Sequence, residues 1–391
     1  MIAAASGDPG AGRRIMLSCG EASGDQYAGA LLDALRAADP TVQVFGFGGP
    51  RLAAAGADLI GDYRGLSVTG LVEAAAVLPR SWAMLRRLAR AARLRRPDVF
   101  VAVDFPDFNF RLLPVMRRLG VPVVYYVSPQ LWAWRRGRLA AIRRDVARML
   151  VIFPFEATWY ADAGVPVEFV GHPLVEAIAP GDRRSWLIGH GLNPDRPVVA
   201  LLPGSRPNEV HRILPPLVTA APRIRQAVPG VQFVVARAPS LDDGLFAALD
   251  RLRADGLPIV LAEDADAVLD AADVVVTASG TATVQTALHG RPMVIVYRLS
   301  PVTYAIGRAF VRVQSYGMVN LIAGRPVAPE LMQAGLTPDA VVRETVSLLT
   351  DERRAAVMRR DLADVCARLG GPGASRRAAA AVLEVCGTRR A

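Results

Sequence analysis

Carboxylates follow two apolar runs of the sequence at positions where they could move a proton. Glu21 and Asp25 lie in the small-residue turn GEASGD, and Asp104 and Asp107 lie in DFPDFN together with Asn109. A neutral loop would be enough to bind a phosphate, so these acids indicate that a hydroxyl group or a proton is handled there. A carboxylate in a partly desolvated cleft can have its pKa raised toward the range of a general base. The pattern therefore predicts a base that takes the proton of an attacking hydroxyl group.

The turn that carries the first two acids stands between an apolar run at 15–19 and a helical pattern. Ser23 and Gly24 lie in this turn. In open α/β sheets the free backbone N–H groups of a helix start converge on a ligand at such a place. We predict that Ser23 and Gly24 contact a ligand together with Asp25 and Asn109.

Two loops in the second half are typical of anion binding, because each follows an apolar run and opens a helix. They are LLPGSR, with Gly204, Ser205 and Arg206, and TASGTA, with Ser279, Gly280 and Thr281. Backbone donors at a helix start, joined by one forked guanidinium group, suit a diphosphate. Two such loops in one domain predict a nucleotide diphosphate as ligand.

The segment YYVSPQLWAWRRGR interleaves aromatic and polar side chains. Its candidate contact residues are Ser128, Gln130, Trp132, Trp134 and Arg135. Side chains of this kind can stack on a base or hold a sugar face, which favours a polar ligand rim. Packing of the tryptophans at a domain edge is the alternative.

Apolar runs alternate with helical patterns in both halves, which predicts two doubly wound parallel sheets and an α/β fold. The predicted parts are a flexible N-terminus at 1–14, a Rossmann-like domain at 15–176, a linker at 177–197, a second Rossmann-like domain at 198–350 and C-terminal helices at 351–391 that could pack back on the first domain. Two such domains in tandem are expected to face a central cleft. His172 could reach this cleft or form a structural hydrogen bond.

The composition excludes several chemistries. The chain has 391 residues, a net charge of +10 and no lysine, so a Walker-type phosphate loop, a pyridoxal Schiff base and a lysine base are ruled out. No metal-ligand spacing is visible, and we expect neither a metal nor a cofactor. There is no run of eighteen apolar residues, and residues 1–14 lack a secretory core, so we expect a cytoplasmic protein.

Residues 66–96 join an apolar stretch, LSVTGLVEAAAVLP, to a helical pattern rich in arginine. Such a pairing fits contact with an anionic membrane surface. A buried helix with a solvated basic face is the alternative, and the apolar part at 66–78 could also serve a protein partner.

Seven motifs taken together resemble the lipid-A-disaccharide synthase family. They are GEASGD at 20–25, DFPDFN at 104–109, VSPQLWAWR at 127–135, FVGHP at 169–173, LLPGSR at 201–206, ASGTAT at 278–283 and NLIAGR at 320–325. They stand in the family's order and extend nearly from end to end of the chain.

The resemblance implies an inverting glycosyltransferase of the GT-B architecture. Such an enzyme joins UDP-2,3-diacylglucosamine to the 6-hydroxyl group of 2,3-diacylglucosamine 1-phosphate, and gives a β(1→6) lipid A disaccharide and UDP. Because both sugars carry acyl chains, a peripheral place on the cytoplasmic face of the inner membrane is implied. Nucleic acid is not an expected partner, and homo-oligomer formation stays open.

The resemblance also implies roles for single residues. Asp104 is the expected base, with Glu21 and Asp107 as alternates. The leaving UDP would be stabilised by Arg206 and the two anion-binding loops, and Asn320 of NLIAGR is placed on the donor side.

Two positions depart from the family's pattern. Gln285 stands where the family tends to place a glutamate that holds the nucleotide ribose, and it lacks the charge-assisted hydrogen bond, which is worth about 1 to 2 kcal/mol more. Met318 and Val319 precede Asn320 where the family favours a proline, so this loop departs from the family's pattern while Asn320 itself matches it.

Two other functions agree with parts of the sequence. Another GT-B enzyme, a UDP-sugar transferase or epimerase acting on a soluble substrate, would share the two domains, but GEASGD and DFPDFN argue against it. A nucleic-acid-binding protein would use the charge of +10 and the tryptophan and arginine segment, but charge alone is nonspecific.

Overall fold

The computed structural model describes residues 12–64, 71–132, 136–178, 181–300 and 315–390. The chain divides into two compact units. Unit 1 ends at Pro173 and takes up the chain again from Gly370, and unit 2 runs from Leu174 to Leu369. The stretch 177–197, predicted as a linker, holds a helix of unit 2.

Unit 1 is built on a seven-stranded sheet whose described pairings are all parallel. Its strands are β1 (Arg14–Cys19), β2 (Gln43–Gly48), β3 (Asp58–Asp62), β4 (Val99–Val103), β5 (Val123–Tyr126), β6 (Arg148–Val151) and β7 (Val167–Phe169). The spatial order is β3-β2-β1-β4-β5-β6-β7. The order therefore reverses between β1 and β4, and a ligand crevice is expected beside the carboxyl ends of strands at such a point.

Amphipathic helices connect these strands and supply the other side of the core. They are α1 (Ala22–Ala38), α2 (Pro50–Ala54), α3 (Leu71–Arg95), α4 (Pro106–Arg118), α5 (Leu139–Asp145) and α6 (Pro154–Asp162). The last helix of the chain, Ala374–Arg390, also belongs to unit 1 and packs against α1. Strands such as β4 are buried along their whole length, as expected for parallel strands covered on both faces.

Unit 2 repeats this architecture with a six-stranded parallel sheet in the order β10-β9-β8-β11-β12-β13. The strands are β8 (Val198–Leu202), β9 (Gln232–Ala236), β10 (Ile259–Ala262), β11 (Val274–Ala278), β12 (Met293–Tyr297) and β13 (Glu330–Met332). The helices are α7 (Leu174–Ala177), α8 (Arg183–Gly189), α9 (Pro207–Ala227), α10 (Ala248–Ala254), α11 (Ala265–Ala271), α12 (Thr281–Leu288), α13 (Met318–Ala323), α14 (Pro338–Thr350) and α15 (Glu352–Arg368). We number the helix Ala374–Arg390 as α16.

Two strands have no counterpart among the apolar runs of the sequence. β3 and β13 form edges of their sheets, and both are short and partly polar. An edge strand needs less burial than a central one, so its sequence carries no continuous apolar run. In the described part of the chain no helix is long and apolar enough to span a bilayer.

Candidate active site

Two loops of unit 1 meet at the switch point of its sheet. β1 and β4 pair in parallel up to their last residues. Glu21 and Asp104 therefore both lie at the carboxyl ends of the strands. A Cβ atom added to Gly20 would lie 2.2 Å from the ring of Phe105. The two loops therefore touch, and only glycine fits at this contact. The structure brings the loops of Glu21 and Asp104 together.

The backbone at this edge is strained. Asp104, Phe105 and Val127 have φ values of 45°, 49° and 62°, in the left-handed region that side chains other than Asn and Asp rarely adopt. They are three of the five non-glycine residues with positive φ in the described ranges. Such conformations cost on the order of 1 to 3 kcal/mol each and concentrate at functional sites. Both the backbone conformation and the residue types at the ends of β4 and β5 therefore indicate a functional site.

Asn109 holds the turn after β4 in this conformation. Its Nδ2 donates a hydrogen bond to the carbonyl oxygen of Asp104 at 2.8 Å, and its Oδ1 accepts one from Ser18 Oγ at 2.7 Å. The Tyr125 hydroxyl donates to the same Asp104 carbonyl at 2.9 Å, and burial holds the pKa of this hydroxyl well above its usual value. Asn109 is fully buried and fixes the backbone of Asp104 through this hydrogen bond. Direct contact of Asn109 with a ligand stays a prediction.

Replacing Asn109 with leucine is expected to destabilise unit 1 by about 2 to 4 kcal/mol, because the Ser18 hydroxyl and the Asp104 carbonyl lose a buried partner. Activity should fall as well, since the turn no longer holds the Asp104 backbone. Urea unfolding and a transferase assay measure the two effects. Ser18→Ala is the matched control and should cost about 1 kcal/mol; equal stability of Asn109→Leu and the unmodified chain would contradict this role.

Asp25 has a structural task within unit 1. Its buried carboxylate accepts hydrogen bonds from the backbone N–H groups of Gly49, Arg51 and Leu52 at 2.8, 2.9 and 3.1 Å. It thereby joins the first turn of α1 to the start of α2. A ligand contact of Asp25 stays a prediction.

The other predicted residues of these two loops differ in exposure. They are Ser23, half-buried, Gly24, buried in the first turn of α1, and Asp107, exposed and paired with Arg138 at 2.6 Å. Asp107 is therefore more exposed to solvent than Asp104.

The loop after β5 contains three of the residues that were predicted to line a ligand. Ser128 is buried and donates to the Tyr160 hydroxyl at 3.0 Å, Gln130 is exposed, and Trp132 is half-buried. The Trp132 indole N–H donates to Glu156 at 3.1 Å. Trp134 and Arg135 lie outside the described residues.

Sequence reasoning missed Glu156. The side chain is 1% exposed, and burial raises its pKa to about 8. A glutamate in the first turn of a helix is normally an ordinary partner of the helix dipole, so the sequence contains no sign that this one is turned inward.

His172 is buried between aromatic rings. The ring of Tyr27 meets it edge-on at 6.0 Å and that of Phe153 at 5.4 Å between centroids. Burial lowers its pKa to about 3, so the imidazole is neutral near pH 7. His172 is therefore unsuited to act as a cationic acid there.

In unit 2, the first of the two loops predicted to bind an anion surrounds the Glu209 carboxylate. Glu209 Oε2 accepts a hydrogen bond from the Ser205 N–H group at 3.0 Å, and its Oε1 accepts one from Arg206 at 2.9 Å. Gly204 has φ 126°, and a Cβ atom there would lie 2.5 Å from Glu209 Cβ. Glu209, which sequence reasoning did not single out, thus orients the Arg206 guanidinium and occupies the donors that an anion would use.

The second loop of unit 2 follows the neighbouring strand, because β11 pairs with β8. Ser279 Oγ donates to the Tyr316 carbonyl at 2.8 Å. Gly280 has φ 140° with open space where a Cβ atom would be, and Thr281 is exposed as the first residue of α12. The two loops predicted to bind an anion therefore lie on adjacent strands at one edge of the sheet.

Gln285 and Asn320 have protein partners. The Gln285 amide donates to Asp266 at 2.7 Å. Asn320 is buried. Its Nδ2 donates hydrogen bonds to the Ala328 carbonyl and the Glu330 carboxylate, and its Oδ1 accepts them from the backbone N–H groups of Val327 and Ala328. Both residues form hydrogen bonds within unit 2. Contact of either residue with the nucleotide stays a prediction.

The comparison with known protein families assigns the chain to a family. The family model described as lipid-A-disaccharide synthetase matches residues 15–385. The chain belongs to the lipid-A-disaccharide synthase family. It is 45% identical over 374 residues to the lipid-A-disaccharide synthase of Myxococcus xanthus, covering 95% of this chain and 97% of that one. The corresponding enzyme of Geobacter metallireducens is 43% identical over 383 residues, with 97% and 98% covered.

Solved structures share the fold of this lipid-A-disaccharide synthase family member. The glycotransferase of kitacinnamycin is similar with a TM-score of 0.62 at 22% identity, covering 97% of this chain and 100% of that one. The UDP-GlcNAc 2-epimerase of Neisseria meningitidis, bound to UDP-GlcNAc, has a TM-score of 0.64 at 12% identity, with 95% and 100% covered. The predicted pair of parallel α/β domains and the family are confirmed, and the chain is a glycosyltransferase.

Proposed function

We propose that the chain joins UDP-2,3-diacylglucosamine to 2,3-diacylglucosamine 1-phosphate by a single inverting displacement. The Asp104 carboxylate takes the proton of the acceptor 6-hydroxyl group as its oxygen bonds to the anomeric carbon of the donor. The bond from that carbon to UDP breaks, and UDP leaves with the electron pair. The product is the β(1→6) disaccharide 1-phosphate.

The geometry around Asp104 carries this proposal. A carboxylate is held at the end of β4 by a strained turn, and the buried Asn109 and Tyr125 both bond to its backbone carbonyl. A fixed position matters because a general base must lie within hydrogen-bond reach of the proton that it removes. Glu21 lies on the loop that touches this turn, and Asp107 is exposed; they remain the alternate bases.

The donor side of the proposal rests on unit 2. The charge that develops on the leaving diphosphate requires donors that are already oriented. Arg206 and the Ser205 N–H group are donors of this kind. The open glycine turn before α12 leaves room for a phosphate beside its backbone. We infer that a diphosphate displaces the Glu209 carboxylate from these donors when it binds.

We also propose that α3 contacts an anionic bilayer, in keeping with a place on the cytoplasmic face of the inner membrane. Exposed Leu78 and Trp82, at 44% and 53%, lie on a helix with a row of exposed arginines. Each arginine near such a surface contributes about 1 kcal/mol. In a flotation assay at low salt, the protein should float with anionic vesicles. Flotation only with neutral vesicles, or with neither kind, argues against this contact.

The decisive experiment is incubation of the purified protein with the UDP-diacylglucosamine donor and the acylated acceptor phosphate. UDP and a disaccharide should appear in equal amounts, and a donor without acyl chains should be used poorly. Release of UDP with soluble sugars, and no product from acylated ones, would favour another UDP-sugar enzyme.

A further inference from the structure

Behind the loop after β5 lies a carboxyl group that the proposed mechanism does not use. Glu156 stands in the first turn of α6 and is 1% exposed. Its Oε1 accepts the indole N–H of Trp132 at 3.1 Å, and its Oε2 has no hydrogen-bond partner among the described residues. Such an arrangement is costly for a carboxylate and suits a neutral acid.

No cation among the described groups compensates a charge at this place. Asp104, at the end of β4, is the charged group that acts on Glu156, and it disfavours ionisation as burial does. The hydrogen bond from the Trp132 indole and the nearby Ser128 hydroxyl favour the ionised form of Glu156, but they do not outweigh burial. On α6 itself the facing group is the Tyr160 hydroxyl, whose own pKa is raised by burial. The neighbouring Phe153 packs on His172, which is neutral.

The position of Glu156 determines what its proton can affect. Trp132 is held by two contacts on α6, the hydrogen bond to Glu156 and an edge-on contact with the Phe155 ring at 5.0 Å. Ser128, at the start of the same loop, bonds to Tyr160 one turn further along α6. The first turns of α6 therefore anchor both ends of the segment 128–132.

We propose that Glu156 acts in its protonated form as a positioning residue that holds Trp132 and the 128–132 loop for the acceptor, and that loss of this proton limits acceptor use at alkaline pH. The assignment of this loop to the acceptor rests on the proposed function. Once ionised, Glu156 would place a second negative charge near Asp104 in a region of low polarity. Entry of water or a shift of the loop would relieve that charge, and either change would loosen Trp132.

The first test needs no substrate. The fluorescence difference between the unmodified protein and Trp132→Phe isolates the emission of Trp132, and it should titrate with a midpoint near pH 8. In Glu156→Gln the side chain can still accept the indole N–H but cannot ionise. The fluorescence difference between Glu156→Gln and the double variant Glu156→Gln with Trp132→Phe should therefore not change with pH. A flat signal in the unmodified protein between pH 6 and 9.5 would overturn the proposal, whether or not the transferase assay succeeds.

The second test uses the reaction. For the acceptor, kcat/KM should fall as the pH rises through the midpoint and level off about tenfold lower, because the proton positions the loop and takes no part in the bond-forming step. Glu156→Gln should keep near-normal activity at pH 7 and move this alkaline limb upward by at least about one pH unit, while the KM for the donor changes less than about threefold. Glu156→Ala should keep kcat/KM for the acceptor at every pH about tenfold below the value of the unmodified protein at pH 7. An alkaline limb in Glu156→Gln that superposes on that of the unmodified protein would refute the role.

Discussion

Replacing Asp104 with asparagine is expected to lower kcat by a factor of about 10² to 10⁴, the usual contribution of a general base. Asparagine has the same size and tolerates the positive φ of this position as well as aspartate does. The hydrogen bonds to the Asp104 carbonyl involve only the backbone. The substitution therefore removes the base and leaves the turn intact, and release of UDP at saturating substrates measures its effect.

The controls for this experiment are other carboxylates of unit 1. Asp33→Asn, on the exposed side of α1, should leave kcat unchanged within about twofold, because surface changes away from a site rarely matter. Glu21→Gln and Asp107→Asn compare the alternate bases directly. If Asp104→Asn retains more than about a third of the activity and one of these two loses it, the base is reassigned while the fold and family stand.

Replacing Arg206 with alanine is expected to lower kcat/KM for the donor by about 10² to 10³, the effect of losing one oriented donor to a developing charge. The loss should exceed that of one cation, because the Glu209 carboxylate then remains in the loop without its partner and repels the diphosphate. Arg206→Lys should recover little, since an ammonium group cannot reproduce the planar fork that bonds to a phosphate through two N–H groups. Steady-state kinetics and calorimetric titration with UDP measure these changes.

A second substitution separates the loss of the Arg206 guanidinium from the repulsion by the uncompensated Glu209 carboxylate. Adding Glu209→Gln to Arg206→Ala removes the uncompensated charge, so the double variant should bind UDP more tightly than Arg206→Ala alone. Arg225→Ala is the matched control on the same helix; its guanidinium bonds to the Gly256 carbonyl near the other end of α9. Unchanged UDP affinity in Arg206→Ala would show that the diphosphate binds elsewhere.

The motifs predicted which loops lie together better than they predicted the hydrogen-bond partners of each side chain. GEASGD and DFPDFN were placed together correctly because β1 and β4 are neighbours in a doubly wound sheet, and the same rule joined the two loops of unit 2. The rule says nothing about hydrogen bonds. Asp25 is engaged with residues 24 to 27 positions away, and Asn109 with Ser18, 91 positions away.

The sequence by itself determined the two parallel α/β units and the loops at their strand ends, because buried parallel strands must be apolar and a loop suited to an anion needs small residues and donors. The family followed from the resemblance of seven motifs, not from these patterns. Only the tertiary structure decided that Asn109 supports Asp104, that Glu209 orients Arg206 and that Glu156 is buried behind Trp132. The physical reason is the range of each effect. Apolar periodicity is local and visible along the chain, whereas burial of a polar group and its choice of partner depend on segments that meet only after folding.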